Sequence, residues 1–415
     1  MKILWLSHLV PYPPRAGVVQ RSYGLLSELC KRHEVTLMAF HQPALMQSMS
    51  DDPDAALSEA IEKLESQCAR VRIFDIPSEG SSLGRYGLAL RSLFTRDPYT
   101  INWLKSPAFE QALTEESTRV YDVVHFDTIS LAVYRNEFEN IPRVMNHHNV
   151  ESHLLHRRAR LARGRLARLY YGQEATRLEA YEQDTAAEFD LHVTCSPLDT
   201  ERLRQVIGDI PIHVIPNGVD MAYFDGRICE RVDPTFAFVG TLGWGPNREA
   251  VELICAEIWP ALAERWTNAR MLLIGSNAPQ SAVSLASTDE RVRVTGFVND
   301  VRPFLADTCF FLCPIKEGGG TKLKILNAMA MEKVVVADPI ACEGIDVSTG
   351  QDVLLATTAN DYVARVAELL EDPARYHRIA RASRQLIQRL YSYEVIGREL
   401  DAEYTKLASH AVSKG

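Results

Sequence analysis

The sequence of 415 residues lacks several features that would place it in a specialised class. No run of 18 uninterrupted apolar residues occurs, so no segment is predicted to span a membrane. The 8 cysteines contain no C-x-x-C pair, and most lie within apolar segments. This pattern predicts reduced, buried thiols in a reducing compartment. Basic residues are also scarce, 45 against 54 acidic ones, and the net charge of −9 argues against a general nucleic-acid partner.

The sequence otherwise has the composition of an ordinary globular protein. Its hydrophobic share is 46% and its charged share is 24%, which excludes a disordered chain, a fibre and a coiled coil. At roughly 150 residues per domain, the length predicts two or three domains. The first apolar segment turns polar at Ser7 and His8, too early for a signal peptide, so we expect a cytoplasmic protein.

Short β-branched segments alternate with longer amphipathic segments along most of the chain. This alternation predicts the α/β class, with doubly wound parallel sheets. The expected strands are 3–6, 35–40, 71–74, 123–125, 144–145 and 191–193, then 235–239, 269–274, 292–295, 309–313, 334–337 and 353–356.

A turn-rich segment at residues 215–220 separates the two strand series. It predicts one Rossmann-like domain of residues 1–214 and a second of residues 215–389, followed by a helical tail of residues 390–415. In such sheets, ligands bind at the carboxyl ends of the strands.

The most informative segment connects the predicted strand 309–313 to a helix through three consecutive glycines. Glycines let backbone N–H groups approach an anion closely, and a helix N-terminus adds partial positive charge. On the helix, polar residues recur at every third position along one flank. The segment lacks the full P-loop signature, and the alternative is a flexible turn before an ordinary helix. Its candidate ligand-binding residues are Gly318, Gly319, Gly320, Thr321, Lys324 and Asn327.

The sequence resembles glycosyltransferase family 4, whose members are retaining enzymes with the GT-B fold. The resemblance rests on the shared order of short motifs over nearly the whole chain, and on a glycine segment similar to that of enzymes that glycosylate bacterial polysaccharides and related glycoconjugates. It implies two Rossmann-like domains facing a central cleft, an N-terminal one for the acceptor and a C-terminal one for a nucleotide-sugar donor. The motifs are Pro11-Tyr12-Pro13-Pro14 with Gly17 and Arg21, Arg32-His33-Glu34-Val35, His148-Asn149-Val150-Glu151, residues 216–220, Phe238-Val239-Gly240 with Pro246-Asn247, and residues 294–298.

The resemblance also implies the roles of individual residues. His148 matches the histidine that contacts the sugar or acceptor in relatives, although the adjacent His147 leaves the choice open by one residue, and a structural histidine is the alternative. The residues implied to bind the donor are Gly17, Gly240, Asn247, Phe297, Lys316, Gly318, Gly319, Gly320, Thr321, Lys324 and Asn327.

Two departures from the family pattern concern the donor. Asn327 stands where relatives carry a glutamate for the nucleotide ribose, and a neutral amide forms a weaker hydrogen bond than a carboxylate. No cation follows Gly240, so Lys316, Lys322 or Lys324 is expected to supply the charge for the diphosphate.

No cofactor or metal is expected. Preorganised backbone amides and a lysine can stabilise a leaving diphosphate without a cation. The single Asp-x-Asp pattern, Asp52-Pro53-Asp54, has the form of a helix cap followed by a first-turn proline.

Residues 157–168 contain six arginines and no acidic residue, within a chain that is acidic as a whole. Beside leucines at positions 154, 161, 166 and 169, they suggest peripheral contact with an anionic membrane, at the inner face of the plasma membrane. The alternative is a solvated helix face paired with Glu174 and Glu179. The arginines are Arg157, Arg158, Arg160, Arg163, Arg165 and Arg168.

Two rival functions stay open at the level of sequence. A nucleotide-sugar 2-epimerase shares the fold but needs a pair of cleft carboxylates, which the motifs do not offer. A non-catalytic nucleotide- or glycan-binding module is suggested by Asn327 and by the missing cations after Gly240.

Overall fold

The computed structural model describes residues 1–50, 52–80, 82–162, 164–229, 233–317 and 320–414. The chain forms two compact units. The first unit contains Met1–Pro216 and Ile396–Gly415, and the second contains Asn217–Val395. Among the described residues, every helix is too short or too polar to cross a membrane.

The first unit is built on a parallel sheet with strand order β3-β2-β1-β4-β5-β6-β7 within the described residues. Six of these strands match the expected series. The edge strand β7 was not predicted, because it has three half-buried residues and a central histidine. The strands are β1 (Lys2–Ser7), β2 (Glu34–His41), β3 (Arg70–Asp75), β4 (Val123–Phe126), β5 (Arg143–His147), β6 (Leu191–Thr194) and β7 (Ile212–Val214).

Helices separate the strands of the first unit, as a doubly wound sheet requires. In the third helix, the Asp52 side chain accepts a hydrogen bond from the Ala55 amide at 3.0 Å, with Pro53 in the first turn. The predicted helix cap at Asp52 is therefore confirmed. The helices are α1 (Gly17–Cys30), α2 (Pro43–Met49), α3 (Pro53–Glu65), α4 (Ser82–Ser92), α5 (Tyr99–Asn102), α6 (Pro107–Ser117), α7 (Glu151–Leu161), α8 (Arg165–Ala186) and α9 (Pro197–Ile207), with 3₁₀ segments at Pro77–Gly80 and Ile129–Phe138.

The second unit repeats this architecture with the strand order β10-β9-β8-β11-β12-β13 in its described part, again in parallel. All of these strands fall within the expected series, so the doubly wound α/β class is confirmed. The strands are β8 (Thr235–Val239), β9 (Arg270–Ile274), β10 (Val292–Val294), β11 (Phe310–Cys313), β12 (Val334–Ala337) and β13 (Leu354–Leu355).

The helices of the second unit include two short π-helical stretches. One of them, Ile254–Ile258, joins the helices Gly245–Leu253 and Trp259–Arg265. The other is Ile387–Tyr391, and a 3₁₀ turn covers Pro339–Cys342. The helices are α10 (Gly245–Leu253), α11 (Trp259–Arg265), α12 (Gln280–Thr288), α13 (Arg302–Ala306), α14 (Leu323–Ala330), α15 (Ala359–Glu371) and α16 (Pro373–Leu386).

The final helix, α17 (Tyr393–Lys414), belongs to the first unit from Ile396 onward. Tyr404 is fully buried there, and its hydroxyl hydrogen-bonds Nδ1 of His125. Near the surface, Asp401 lies 2.6 Å from Nε2 of His33. A returning C-terminal segment thus completes the core of the first unit.

Two of the eight cysteines depart from the sequence expectation. Cys229 and Cys309 form a disulfide with Cα atoms 5.0 Å apart, so the prediction of reduced thiols is wrong for this pair. Their separation of 80 residues hides the pairing at the level of sequence. Among the described residues the other cysteines are free thiols.

Substitution of Gly397 tests how tightly α17 packs. A Cβ at this position would lie 2.4 Å from Cβ of Glu28 on α1, so Gly397→Ala should lower the free energy of unfolding by about 1–3 kcal/mol. Urea unfolding measures this change. The matched control is Gly172→Ala within α8, where a Cβ would meet nothing within 4 Å and alanine should be neutral or stabilising. Equal stability of the two variants would contradict the packing.

Candidate active site

The predicted site residues form two groups, one within each unit. In the first unit, His148 directly follows β5. Its Nε2 lies 3.1 Å from Oδ1 of Asp127, and its side chain is 9% exposed. Because Nε2 is engaged by this carboxylate, Nδ1 is the ring nitrogen left for a ligand.

Asp127, which follows β4, is the centre of this first group. It is fully buried and accepts hydrogen bonds from Oγ of Ser22 at 2.7 Å and from Nδ2 of Asn146 at 2.9 Å. Burial by itself would raise the pKa of Asp127, but the nearby imidazoles of His148 and His125, and the hydrogen bond with His148, lower it well below its usual value. The carboxylate is therefore ionised at neutral pH.

His8 lies at the end of β1, beside the same carboxylate. Its Nδ1 is 3.8 Å from Oδ2 of Asp127 and makes no hydrogen bond. Burial lowers the pKa of His8 to about 4, so the ring is neutral at physiological pH. Ligand atoms of His8, Asp127 and His148 lie within 4.8 Å of one another, a spacing that a metal ion could use. Both oxygens of Asp127 already accept hydrogen bonds, however.

The neighbouring His147 has a different environment. It is the last residue of β5 and is 2% exposed, and its Nε2 lies 2.9 Å from Nδ1 of His192 on β6. Burial lowers the pKa of His147 well below its usual value, and the adjacent imidazoles of His192 and His148 lower it further. Of the two histidines, His148 is therefore the one that lies with the polar cluster at the strand ends.

Helix α1 contributes the remaining residues of the first group. Arg21 is 1% exposed and donates hydrogen bonds to the carbonyls of Ile215 at 2.8 Å and Pro216 at 2.9 Å, and to Oδ1 of Asn146 at 3.0 Å. Gly17 is the first residue of the helix and is exposed. The side chain of Arg21 thus joins Asn146 on β5 to the backbone that follows β7.

The second group is formed by Gly240, Asn247 and Lys324. A Cβ at Gly240 would lie 2.7 Å from Nδ2 of Asn247 and 2.9 Å from Nζ of Lys324, so a larger residue would displace both side chains from these positions. Lys324 donates a hydrogen bond to Oδ1 of Asn247, and its ammonium lies 4.4 Å from the ring centre of Phe238. Burial lowers the pKa of Lys324 to about 8.

Glycines also allow the backbone to pack closely at the ends of β8, β9 and β10. A Cβ at Gly275 would lie 1.8 Å from the carbonyl oxygen of Gly240. On its other side, the Gly275 amide donates to the Gly296 carbonyl at 3.1 Å. Phe297 follows directly and is half-buried. Protein atoms therefore fill the space beside Gly240 and Gly275, whereas a Cβ at Gly296 would meet nothing within 4 Å.

The predicted glycine loop is described only in part, because Gly318 and Gly319 lie outside the described residues. Gly320 has a φ of +68°, a conformation that favours glycine. Thr321 is buried, and its carbonyl accepts a hydrogen bond from Nδ2 of Asn217 at 3.3 Å. Lys316 is exposed, and Asn327 lies half-buried on α14, one turn beyond Lys324.

Sequence reasoning missed the partners that organise these groups. Asp127 and His8 each follow a predicted strand, and polar residues at the carboxyl ends of parallel strands are the usual material of binding sites. Gly275 likewise follows the strand β9, in the pattern of Gly240 after β8. The signal was therefore strand position rather than a motif.

Family models match both units of the chain. The model described as Glycosyltransferase Family 4 matches residues 15–223, and the model described as Glycosyl transferases group 1 matches residues 233–372. The chain belongs to glycosyltransferase family 4. This confirms the family predicted from the motifs. No curated protein matches the sequence closely enough to serve as a relative.

Solved structures of similar fold cover nearly the whole chain at low sequence identity. Sucrose-phosphate synthase from Thermosynechococcus elongatus has a TM-score of 0.68 at 16% identity, covering 99% of this chain and 100% of its own. HepE from Anabaena, in complex with UDP, has a TM-score of 0.66 at 16% identity, covering 98% and 100%. A glycosyltransferase from Rickettsia africae has a TM-score of 0.63 at 13% identity, covering 98% of each chain. These similarities confirm the GT-B fold of the family 4 enzyme.

Acid stability of this glycosyltransferase tests the buried charge of Asp127. A carboxyl whose pKa is lower in the folded than in the unfolded state stabilises the fold above pH ~4. This stabilisation is lost as the pH falls toward the pKa of the folded state. Asp127→Asn should therefore cost about 1–3 kcal/mol at pH 7, and the difference from wild type should shrink below pH ~4. Chemical unfolding across pH measures it, with the exposed Asp209→Asn as control. A pH-independent difference would contradict the assignment.

Proposed function

We propose that this glycosyltransferase moves a sugar from a nucleoside diphosphate donor to a hydroxyl acceptor, with retention of the anomeric configuration and without a metal ion. The acceptor class is a glycan, a lipid-linked glycan or another glycoconjugate. The first unit binds the acceptor and contributes His148, and the second unit binds the donor. Membership of family 4 supports the reaction type.

The single observation that carries the donor proposal is the environment of Lys324. This lysine is the one cation held against Gly240 and Asn247 in the described part of the second group. A preorganised ammonium stabilises the charge that develops as a diphosphate leaves. Lys324 thus takes the role of the cations that the segment after Gly240 lacks.

Uracil is the base we test first. HepE, which shares the fold, has been crystallised with UDP and with UDP-glucose. For this chain, we assign the base contact to the backbone of Phe297, which follows β10 and is half-buried, whereas the ribose contact falls to Asn327. An amide at that position gives a weaker hydrogen bond than a carboxylate, so we propose that donor affinity depends mainly on the diphosphate.

His148 is proposed to contact the sugar or the acceptor hydroxyl through Nδ1, with Asp127 as its positioning residue. Retention means that the new bond forms on the face from which the diphosphate departs. A histidine in this position orients the reacting hydroxyl and shares its proton, and positioned proton transfer contributes about 10²–10⁴-fold to rate.

Metal independence is proposed because the charge of the diphosphate is matched by Lys324 and by backbone amides. The cluster of His8, Asp127 and His148 has metal-ligand spacing, but a metal would displace the hydrogen bonds that Asn146 and His148 donate to Asp127. The proposal therefore assigns this cluster to orientation of His148.

The experiment that tests the function is a donor screen read by mass spectrometry for released nucleotide and glycosylated acceptor. Thermal shift with UDP, GDP, ADP and TDP first selects the base, since a ligand of the native state raises the melting temperature. We expect full activity in excess chelator and a loss of about 100-fold or more in His148→Ala. Activity lost to the chelator and restored by manganese would exclude metal independence. Deuterium entering the donor sugar without an acceptor would identify a 2-epimerase, and nucleotide binding without turnover would identify a binding module.

Removal of the Lys324 charge tests the donor site separately. A hydrogen bond to a charged group contributes about 1.5–3 kcal/mol, so Lys324→Gln should weaken binding of the selected nucleoside diphosphate roughly 10-fold to 100-fold. Because the pKa of Lys324 is about 8, the ammonium is present at pH 7 and is lost as the pH rises above 8. The advantage of wild type over Lys324→Gln should therefore decline above pH 8.

Titration calorimetry at several pH values measures both effects, and Lys63→Gln in α3 is the control for loss of a lysine. A constant ratio of affinities from neutral to alkaline pH would contradict the role of Lys324, as would equal affinities of Lys324→Gln and Lys63→Gln.

A further inference from the structure

Helix α4 presents its apolar side to solvent. Leu83, Tyr86 and Leu90 are 80%, 77% and 63% exposed, and Phe94, just after the helix, is 85% exposed. Their spacing of three to four residues places them along one face of the helix. An ordinary surface helix turns such a stripe toward the core. In α4 the arrangement is inverted.

The inner side of α4 contributes little to the core of the first unit. Among its described side chains, Ser92 at the last position is the one that is fully buried, whereas Leu88 and Ala89 are half-buried. A cavity of about 500 Å³ lies beneath the helix, lined by Leu88, Arg91 and Trp103 among others. Packing therefore does not explain why the large apolar side chains of α4 are where they are.

The charged side chains within the stripe's own segment are all arginines, one of which, Arg96, lies 3.8 Å from Asp184 of α8. Residues 80–96 contain Arg85, Arg91 and Arg96, all exposed, and no aspartate or glutamate. Exposed apolar side chains flanked by cations are typical of helices that lie in the interface of an anionic bilayer.

A second element of the first unit carries the same combination. In and between α7 and α8, Leu161, Leu166 and Leu169 are 64%, 84% and 69% exposed. No acidic residue occurs between Glu151 and Glu174. Four arginines of the predicted cationic segment are exposed and Arg157 is half-buried, whereas Arg163 lies outside the described residues. The exposed arginines are Arg158, Arg160, Arg165 and Arg168.

Hydrogen bonds hold the two elements side by side. Arg177 of α8 donates to the carbonyls of Ser92 at 2.8 Å and Asp97 at 2.9 Å, and also to that of Thr95. The Tyr99 amide donates to Glu174 of α8 at 2.6 Å. The chain leaving α4 is thereby fixed to α8, two turns from Leu169.

From this juxtaposition we propose that α4 and the α7–α8 segment form one docking surface for an anionic phospholipid bilayer. We name it the lipid-docking surface and define it by Leu83, Tyr86, Leu90, Phe94, Leu161, Leu166, Leu169 and the exposed arginines of both elements. Its leucines and aromatic rings enter the interfacial region of the bilayer, and the arginines bind lipid phosphates. In this proposal the surface brings a membrane-bound acceptor to the first unit. That role rests on the proposed function, whereas binding of the chain to a bilayer does not depend on it.

Vesicle sedimentation of the full chain tests the proposal. We expect binding to vesicles of phosphatidylcholine mixed with phosphatidylglycerol, and little binding to phosphatidylcholine alone. Raising the salt to ~1 M, where the Debye length is about 3 Å, should weaken binding strongly. No binding to the anionic vesicles at low salt would overturn the proposal.

Two multiple variants separate the apolar from the charged contribution. The variant Leu83→Ser, Leu90→Ser and Phe94→Ser should lower the partition coefficient at least ~10-fold, whereas its control Val120→Ser, Val283→Ser and Ile340→Ser, at exposed apolar positions elsewhere, should bind as wild type. The variant with Arg158, Arg160, Arg165 and Arg168 changed to Gln should lose roughly fivefold per arginine, which corresponds to about 1 kcal/mol each. Its control changes Arg248, Arg265, Arg378 and Arg381, which are exposed in the second unit.

Further readouts distinguish the other outcomes. All variants should keep the melting temperature of wild type and its affinity for nucleoside diphosphate in solution, because the altered side chains are exposed. Vesicle binding that both docking-surface variants retain would overturn the assignment of this surface. A concentration-dependent dimer that the α4 variant abolishes, without vesicle binding by wild type, would assign the surface to a second copy of the chain instead.

Discussion

A buried carboxylate cannot be left without hydrogen-bond partners, because an uncompensated charge in the protein interior is very costly. Asp127 meets this requirement with donors from three parts of the first unit: Ser22 of α1, Asn146 of β5 and His148 after β5. The segments that hold these donors are therefore fixed relative to one another at the carboxyl edge of the sheet. The hydrogen bond that compensates the buried charge of Asp127 also fixes the orientation of the His148 ring.

The candidate site of the second unit contains a charge of the opposite sign. The half-buried cation of its candidate site, Lys324, donates a hydrogen bond to the neutral side chain of Asn247 and lies beside the ring of Phe238. Burial lowers the pKa of Lys324 to about 8, and a bound anion would stabilise its charged form. Whereas Asp127 is saturated by its neighbours, Lys324 retains donors for a ligand. This difference distinguishes a group that positions from a group that binds.

Much of the fold follows from the sequence, because buried parallel strands require β-branched runs, and such runs are visible in one dimension. Strand β7 was not predicted, because only three half-buried residues form it. The site was harder to predict: Gly240, Asn247 and Lys324 stood out through motifs, but Asp127 is a lone aspartate whose bonds to Ser22 and Asn146 span 105 and 19 residues. Likewise, the leucines of α4 have the spacing of a core helix, and only the fold reveals which side faces water.

Helix α17 places the last part of the first unit's core at the far end of the chain. Residues 217–395 are synthesised after Pro216 and before Ile396, which takes on the order of 10–40 s at 5–20 residues per second. During that interval His125 has no Tyr404 to cover it, and Glu28 of α1 lacks its contact with Gly397. All residues of the second unit are therefore synthesised before those of the first unit are complete. The first unit can complete its core only at the end of translation.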